Sequence, residues 1–169
     1  MSSKLKTTKI TVIAFLMALE IILTRFLSLF MPFLRLGLGF LPVAITGILY
    51  GPLWAGASYA IGDILGMLIY PTGPYFPGFT LTTFLTGVTY GLILHKKQIT
   101  WKRVIFAASI VCIVLNLGLD SLWLHIILDK GVLALLPARL FKCIVMLPVQ
   151  SIVLYTLWNK FLIKLDLPK

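Results

Sequence analysis

The sequence predicts an all-α integral membrane protein, a bundle of six transmembrane helices with both termini cytoplasmic. Three observations carry that class. Of 169 residues, 60% are hydrophobic and the mean hydropathy is +1.04; a soluble domain this small has too little interior to hide so much apolar surface. Only 12% of residues are charged, about half the share usual in soluble domains. The cations gather at the ends of apolar runs rather than along them. At about 20 residues per span, no length is left for a separate soluble domain, so residues 1–169 read as one transmembrane unit.

Helix one is expected over residues 10–30, behind the basic stretch "MSSKLKTTK". Its apolar run is too long for a signal-peptide core and lacks a small-x-small cleavage site, so it reads as a retained helix. Helix two, 37–50, is short for a span and must tilt or cross only in part. Helices three and four fall at 53–69 and 79–94, helices five and six at 104–128 and 137–161. Gly47 with Gly51, Gly62 with Gly66, Gly87 with Gly91 and Ala14 with Ala18 have the small-xxx-small spacing that lets helix backbones approach. Cys112 and Cys143 lie inside apolar runs and read as small buried hydrophobes rather than a disulfide framework.

Three basic clusters orient the bundle. Lys4, Lys6 and Lys9 precede helix one, Lys96, Lys97, Lys102 and Arg103 join helices four and five, and Lys160, Lys164 and Lys169 follow helix six. An even helix count puts all three on one side, which the positive-inside rule makes cytoplasmic. The net charge of +10 is therefore read as topology and anionic-lipid contact, not nucleic-acid binding. The arrangement fits a bacterial plasma membrane. The opposite side carries Arg35, Lys130, Arg139 and Lys142, either as snorkelling cations or as an anion site.

Enzymatic readings find little support. "GPLWAGAS" at 51–58 has the glycines of a phosphate loop but Ala57 where its lysine belongs. With no other nucleotide motif, any pumping needs a partner to supply the work. No H-E-x-x-H or G-x-S-x-G occurs, and Asp120 and His125 are five residues apart, on different helix faces. No metal or cofactor is expected. Ionisable residues inside spans are costly and functional by default. Glu20 and Arg25 of helix one lie about 7 Å apart along the axis, so each needs a partner on another helix or water. Asp63 in "GDILG" reads as a polar contact between helices.

Helix five carries the sharpest constellation. Asn116, Asp120 and Trp123 share a face at i, i+4, i+7, and Arg139, Lys142 and Met146 follow i, i+3, i+7 at the outer end of helix six. Between helices three and four, "YPTGPYFPGFTLTTFL" at 70–85 is uncharged and aromatic. Tyr75, Phe76 and Phe79 could sandwich a flat ring, Asp120 and Asn116 could read its N–H groups, and the cations could hold negative tails. That describes a site for a planar, polar, anionic small molecule; an interfacial belt of aromatics and snorkelling cations would share the pattern.

The run at 51–92, with "GFLPVAITGILYGP" before it, "DSLWL" at 120–124 and the R-x-x-K of Arg139 and Lys142, resembles the folate-type S-component of energy-coupling factor transporters. The resemblance covers most of the chain. It implies a six-helix subunit that binds a vitamin outside, then joins a transmembrane coupling subunit and two cytoplasmic ATPases. "AFLMA" matches the A-x-x-x-A of S-component helix one, which makes Ala14 and Ala18 the docking face. "FPGFT" matches the substrate-closing loop, which turns Phe76, Phe79 and Thr80 toward substrate. Trp123 matches the helix-five tryptophan and is placed against the pterin. Asp120-Ser121 stands where the family pattern commonly has Asn-Thr, a change that keeps an acceptor for an aminopyrimidinone edge. The resemblance thus implies pterin recognition by Asp120, Asn116, Trp123 and Phe79. The glutamate end falls to Arg35, Arg139 or Lys142, with Arg25 a further candidate, under a lid bearing Tyr75. The alternatives are another vitamin such as riboflavin, an intramembrane enzyme, or a structural subunit.

Overall fold

The computed structural model describes residues 3–31, 34–71, 75–128 and 132–162, with side chains described except at 3–6, 29–31, 34–36, 128, 132–136, 138 and 161–162. Lys130 and the 72–74 portion of the aromatic loop lie outside the described residues. The chain forms α1 (Ser3–Arg25), a hairpin of β1 (Leu29–Met31) and β2 (Leu34–Leu36), α2 (Phe40–Tyr50), α3 (Pro52–Ile69) and α4 (Pro77–Leu94). The fifth helix, α5, is α-helical over Trp101–Ser109, π-helical over Ile110–Leu119 and α-helical again over Asp120–Leu128. The sixth, α6, spans Val132–Leu157 and continues in π geometry through Trp158–Leu162. Among the described residues five helices are long and apolar enough to cross a membrane, and α2 is shorter.

Contacts at the two ends show that the helices alternate in direction. At one end Lys9 of α1 stacks over Trp54 and Tyr50, 4.3 and 5.3 Å from the ring centroids. His95, just past α4, donates from Nδ1 to the Ile48 carbonyl at 2.9 Å, and Trp101 of α5 meets Tyr155 of α6 edge-on at 5.0 Å. This basic end contains the α2–α3 corner, a single residue wide. Gly51 makes it with φ +96° and ψ 178°, a conformation essentially reserved for glycine, and Pro52 starts α3 where no helical N–H partner is lost.

The shortness of α2 has a packing explanation. Eleven residues rise about 16 Å, less than a bilayer core, yet seven of its eleven residues are buried. Phe40, Ala44 and Ile48 join Tyr90 and Leu94 of α4, Val104 and Val111 of α5 and Leu154 of α6 in the central core. It is an inner helix sheltered by the others. Lipid meets side chains such as Phe15, Leu53, Leu68, Phe106 and Ile144, all largely exposed.

The glycines act in two ways. Gly47 and Gly91 bring α2 onto α4, and Gly87 sits so close to α3 that a Cβ would lie 2.5 Å from the Ala55 carbonyl oxygen. Gly87→Val is therefore expected to cost about 3 kcal/mol or more through overpacking against backbone that cannot yield. Thermal unfolding in detergent measures it. Gly62 and Gly66 do something else: their missing side chains make room for the carboxylate of Glu20 and the guanidinium of Arg25.

Four details depart from the sequence expectation. Helix one ends at Arg25 rather than near residue 30: the Leu27 N–H turns back five residues to the Ile22 carbonyl at 3.2 Å, and beyond it the Ser28 hydroxyl donates to the Thr24 carbonyl at 2.6 Å. The chain then pairs as an antiparallel hairpin, Phe30 opposite Arg35, which satisfies backbone groups that an apolar setting would leave costly. Helix six begins at Val132, ahead of Pro137; membrane helices tolerate such prolines when neighbours cover the freed carbonyl. The third departure along the chain, the π segment of α5, shapes the site.

Candidate substrate-binding site

Two polar clusters and an aromatic group between them lie at the end of the bundle opposite the basic loops. The first cluster joins α1, α3 and α4. Arg25, the last residue of α1, sends Nη2 to Asp63 Oδ1 at 3.0 Å and to the Asp63 carbonyl at 3.2 Å, and Nη1 to Met67 Sδ at 3.1 Å. Asp63 Oδ2 accepts from Thr80 Oγ1 at 3.0 Å, and Tyr75 OH lies 3.3 Å from that hydroxyl. Sequence spacing had required a partner for Arg25 on another helix, and Asp63 is that partner. Glu20 lies deeper on the same helix, where it accepts from Thr24 Oγ1 at 2.8 Å and packs against Gly62.

The second cluster joins α4, α5 and α6. The Asn116 side chain donates from Nδ2 to the Val111 carbonyl at 2.9 Å, while within the π segment the backbone N–H of Asp120 reaches the Leu115 carbonyl, five residues back. This i→i+5 bonding widens the turn, and bulges of this kind gather at functional sites. It frees the Asn116 carbonyl, which accepts from Arg139 Nη1 at 2.8 Å, while Asn116 Oδ1 accepts from Lys142 Nζ at 3.0 Å. Asp120 Oδ2 lies 3.7 Å from Arg139 Nη1. Of the six residues singled out by helical spacing, Asn116, Asp120, Arg139 and Lys142 therefore do converge. Arg139 is buried, and its Nε has no hydrogen-bond partner among the described residues. Two cations against one carboxylate leave this cluster one positive charge in excess, whereas Arg25 and Asp63 balance.

The aromatic group bridges the clusters. Phe76, just before α4, sits 5.6 Å from the Trp123 ring and 6.3 Å from that of Phe79. Trp123 Nε1 donates to Thr82 Oγ1 at 3.1 Å, which fixes the indole plane against α4. Gly78 makes the closure sterically feasible: a Cβ there would fall 2.5 Å from Phe76 and 2.6 Å from Trp123. Tyr75 is half exposed at the rim. Arg35 lies on β2, which touches α6; its side chain is outside the described residues. Ala14 and Ala18 are remote from all of this, exposed on the outer face of α1.

Sequence reasoning left Thr82, Met67 and Gly78 unassigned and read Asp63 as a contact between helices. The glycines flanking Asp63 were the one available signal, since two gaps on α3 facing a helix that carries Glu20 and Arg25 imply buried side chains rather than touching backbones.

With this geometry in view, comparison with known proteins is informative. Residues 8–158 match the model of the family described as ECF transporter, substrate-specific component, and the chain belongs to that family. Folate transporter FolT of Clostridium novyi (strain NT) is 45% identical over 146 residues, covering 86% of this chain and 85% of the relative. Folate transporter FolT of Leuconostoc mesenteroides is 35% identical over 162 residues, 92% and 87% of the two chains. A crystal structure of FolT bound with folic acid superposes with a TM-score of 0.87 at 38% identity, covering 92% of this chain and 95% of that one. The chain is thus a multi-pass membrane subunit of a transporter, a substrate-binding component rather than an enzyme.

Proposed function

We propose that this chain is the folate-binding subunit of an energy-coupling factor importer. It captures folate at the outer face and hands it on through a coupling subunit and two cytoplasmic ATPases. The single observation that carries the reading is the aromatic group of Phe76, Phe79 and Trp123 set between a balanced and a positively charged cluster. A folate molecule has the matching parts, a flat donor-rich ring at one end and two carboxylates at the other.

Depth orders the roles. Lys142 follows the α6 start at Val132 by ten residues, about 15 Å along the axis, whereas Arg25 ends α1 and Thr80 sits in the first turn of α4. The pterin goes in first, against Trp123 and Phe79, with Asp120 and Asn116 reading its N–H edge. Arg139 and Lys142 are engaged by those two residues and hold them in place. The glutamate end then rests at the shallower cations, Arg25 and Arg35. Tyr75, Phe76 and Thr80 close over the ring. A cationic vitamin such as thiamine would meet the excess positive charge unfavourably.

Titration of the purified protein tests the assignment. Folate is expected to quench tryptophan fluorescence at submicromolar concentration while riboflavin does not; no response to folate sinks the binding claim. Trp123→Phe should remove most of the quenching yet keep affinity, followed by calorimetry, within about tenfold, because a phenyl ring retains the stacking face and loses the bond to Thr82. Unchanged quenching would move the pterin away from Trp123.

A further inference from the structure

We infer that Asp63 is a built-in competitor for the ligand's carboxylate, a specificity-determining residue that occupies Arg25 in the empty protein and yields it to folate. The inference rests on the reading that Arg25 receives the glutamate end. Asp63 Oδ1 holds Arg25 Nη2 at 3.0 Å, with the Asp63 carbonyl 3.2 Å from the same nitrogen and the Met67 thioether 3.1 Å from Nη1. A thioether is a weak acceptor, so the Met67 contact gives up little to an incoming carboxylate. An incoming carboxylate that takes both edges gains the bidentate geometry the resident pair lacks.

The two partners are unequally sheltered. The Arg25 side chain is 2% exposed and that of Asp63 15%, so the carboxylate is the member reached from the cleft. Its other oxygen is already held by Thr80 Oγ1 at 3.0 Å, with Tyr75 OH 3.3 Å beyond. Asp63 therefore has a hydroxyl partner, Thr80, to retain when Arg25 leaves it. The ligand's carboxylate and that of Asp63 carry the same charge, and two carboxylates crowded on one guanidinium repel. Binding of an anionic tail must displace Asp63, while a neutral head group leaves the pair intact. Affinity for the tail falls by the fraction of empty protein in which Arg25 is free, so the pair excludes weak anions and admits a ligand that brings pterin contacts as well.

Calorimetric titration of folate and of 6-hydroxymethylpterin, the head group without a carboxylate, tests this in the full chain. Asp63→Asn is expected to raise folate affinity about tenfold, the gain if a tenth of the empty wild type has Arg25 free, and to leave the pterin unchanged. Folate affinity that stays level or falls, or a parallel change for both ligands, overturns the role. Asp63→Ser should act in the same direction and serves if the Asn variant does not fold. The structure of the wild-type protein with folate gives a readout that needs no variant: the 3.0 Å pair must be broken there, and its persistence overturns the proposal. Arg25→Gln separates the two layers. If it leaves the folate-to-pterin affinity ratio unchanged, Arg25 is not the tail site. If it collapses that ratio while Asp63→Asn gives no gain, the competitor role alone fails.

Discussion

Asp120→Ala is expected to abolish high-affinity binding of folate and of the bare pterin together, and to lower the melting temperature of the empty protein. Arg139 and Lys142 both face this carboxylate, with Arg139 Nη1 3.7 Å from Oδ2. Removing it leaves a buried and a half-buried cation beside each other, Arg139 on the Asn116 carbonyl and Lys142 on the Asn116 side chain. Breaking a buried pair by deleting one member costs about 3–5 kcal/mol, on the order of 10³ in affinity if the loss falls on the binding-competent state. The head group loses its acceptor in the same step, so the bare pterin should suffer as much as folate. A double variant, Asp120→Ala with Arg139→Met, separates the two contributions. It removes one uncompensated cation and should recover much of the melting temperature without recovering binding. Calorimetry and thermal unfolding in detergent read both. Pterin affinity within about threefold of wild type in Asp120→Ala would place the ring elsewhere.

The excess positive charge of that cluster is also what the sequence conveyed best. Asn116, Asp120, Arg139 and Lys142 were legible because helical spacing needs no tertiary information, and the π geometry of Ile110–Leu119 changes the pitch without scattering the face. The first cluster was harder to see. Arg25 and Asp63 are far apart in sequence, and nothing local says that α1 and α3 meet with those residues level. The hairpin around Arg35 was illegible for a different reason. Leu, Phe and Met suit a membrane helix as well as a strand, and the helix closes on a backbone turn from Leu27 to the Ile22 carbonyl, which hydropathy does not register. Helix six, expected from residue 137, starts at Val132 with Pro137 inside it, since a proline in a membrane helix is tolerated where neighbouring helices cover the backbone. The six-helix order survived these local errors because it depends on total apolar length and on basic loops.

Uptake and binding should part company at the outer face of α1. Ala14→Leu and Ala18→Leu are each expected to reduce folate accumulation by cells to a few per cent of wild type while leaving the affinity of the isolated subunit within about twofold. The alanines are exposed, one helical turn apart, and Ile13, Leu16 and Glu20 point the other way into the bundle. A larger side chain at either position meets nothing within this chain, so neither stability nor the site, on the far ends of α1 and α3, has reason to change. What it would meet is a second helix. Small residues spaced by four let backbones approach closely in a membrane, and bulk there forces them apart, with the loss concentrated in packing contacts because no hydrophobic drive compensates between lipid-soluble surfaces. The chain has no nucleotide motif of its own, so accumulation against a gradient is expected to depend on that contact and binding is not. Radiolabelled folate uptake in cells that co-express the coupling subunit and ATPases, beside calorimetry on the purified variant, measures the split. Normal uptake in both leucine variants would show that the coupling subunit docks elsewhere, and a parallel loss of affinity would mean that this face of α1 supports the site itself.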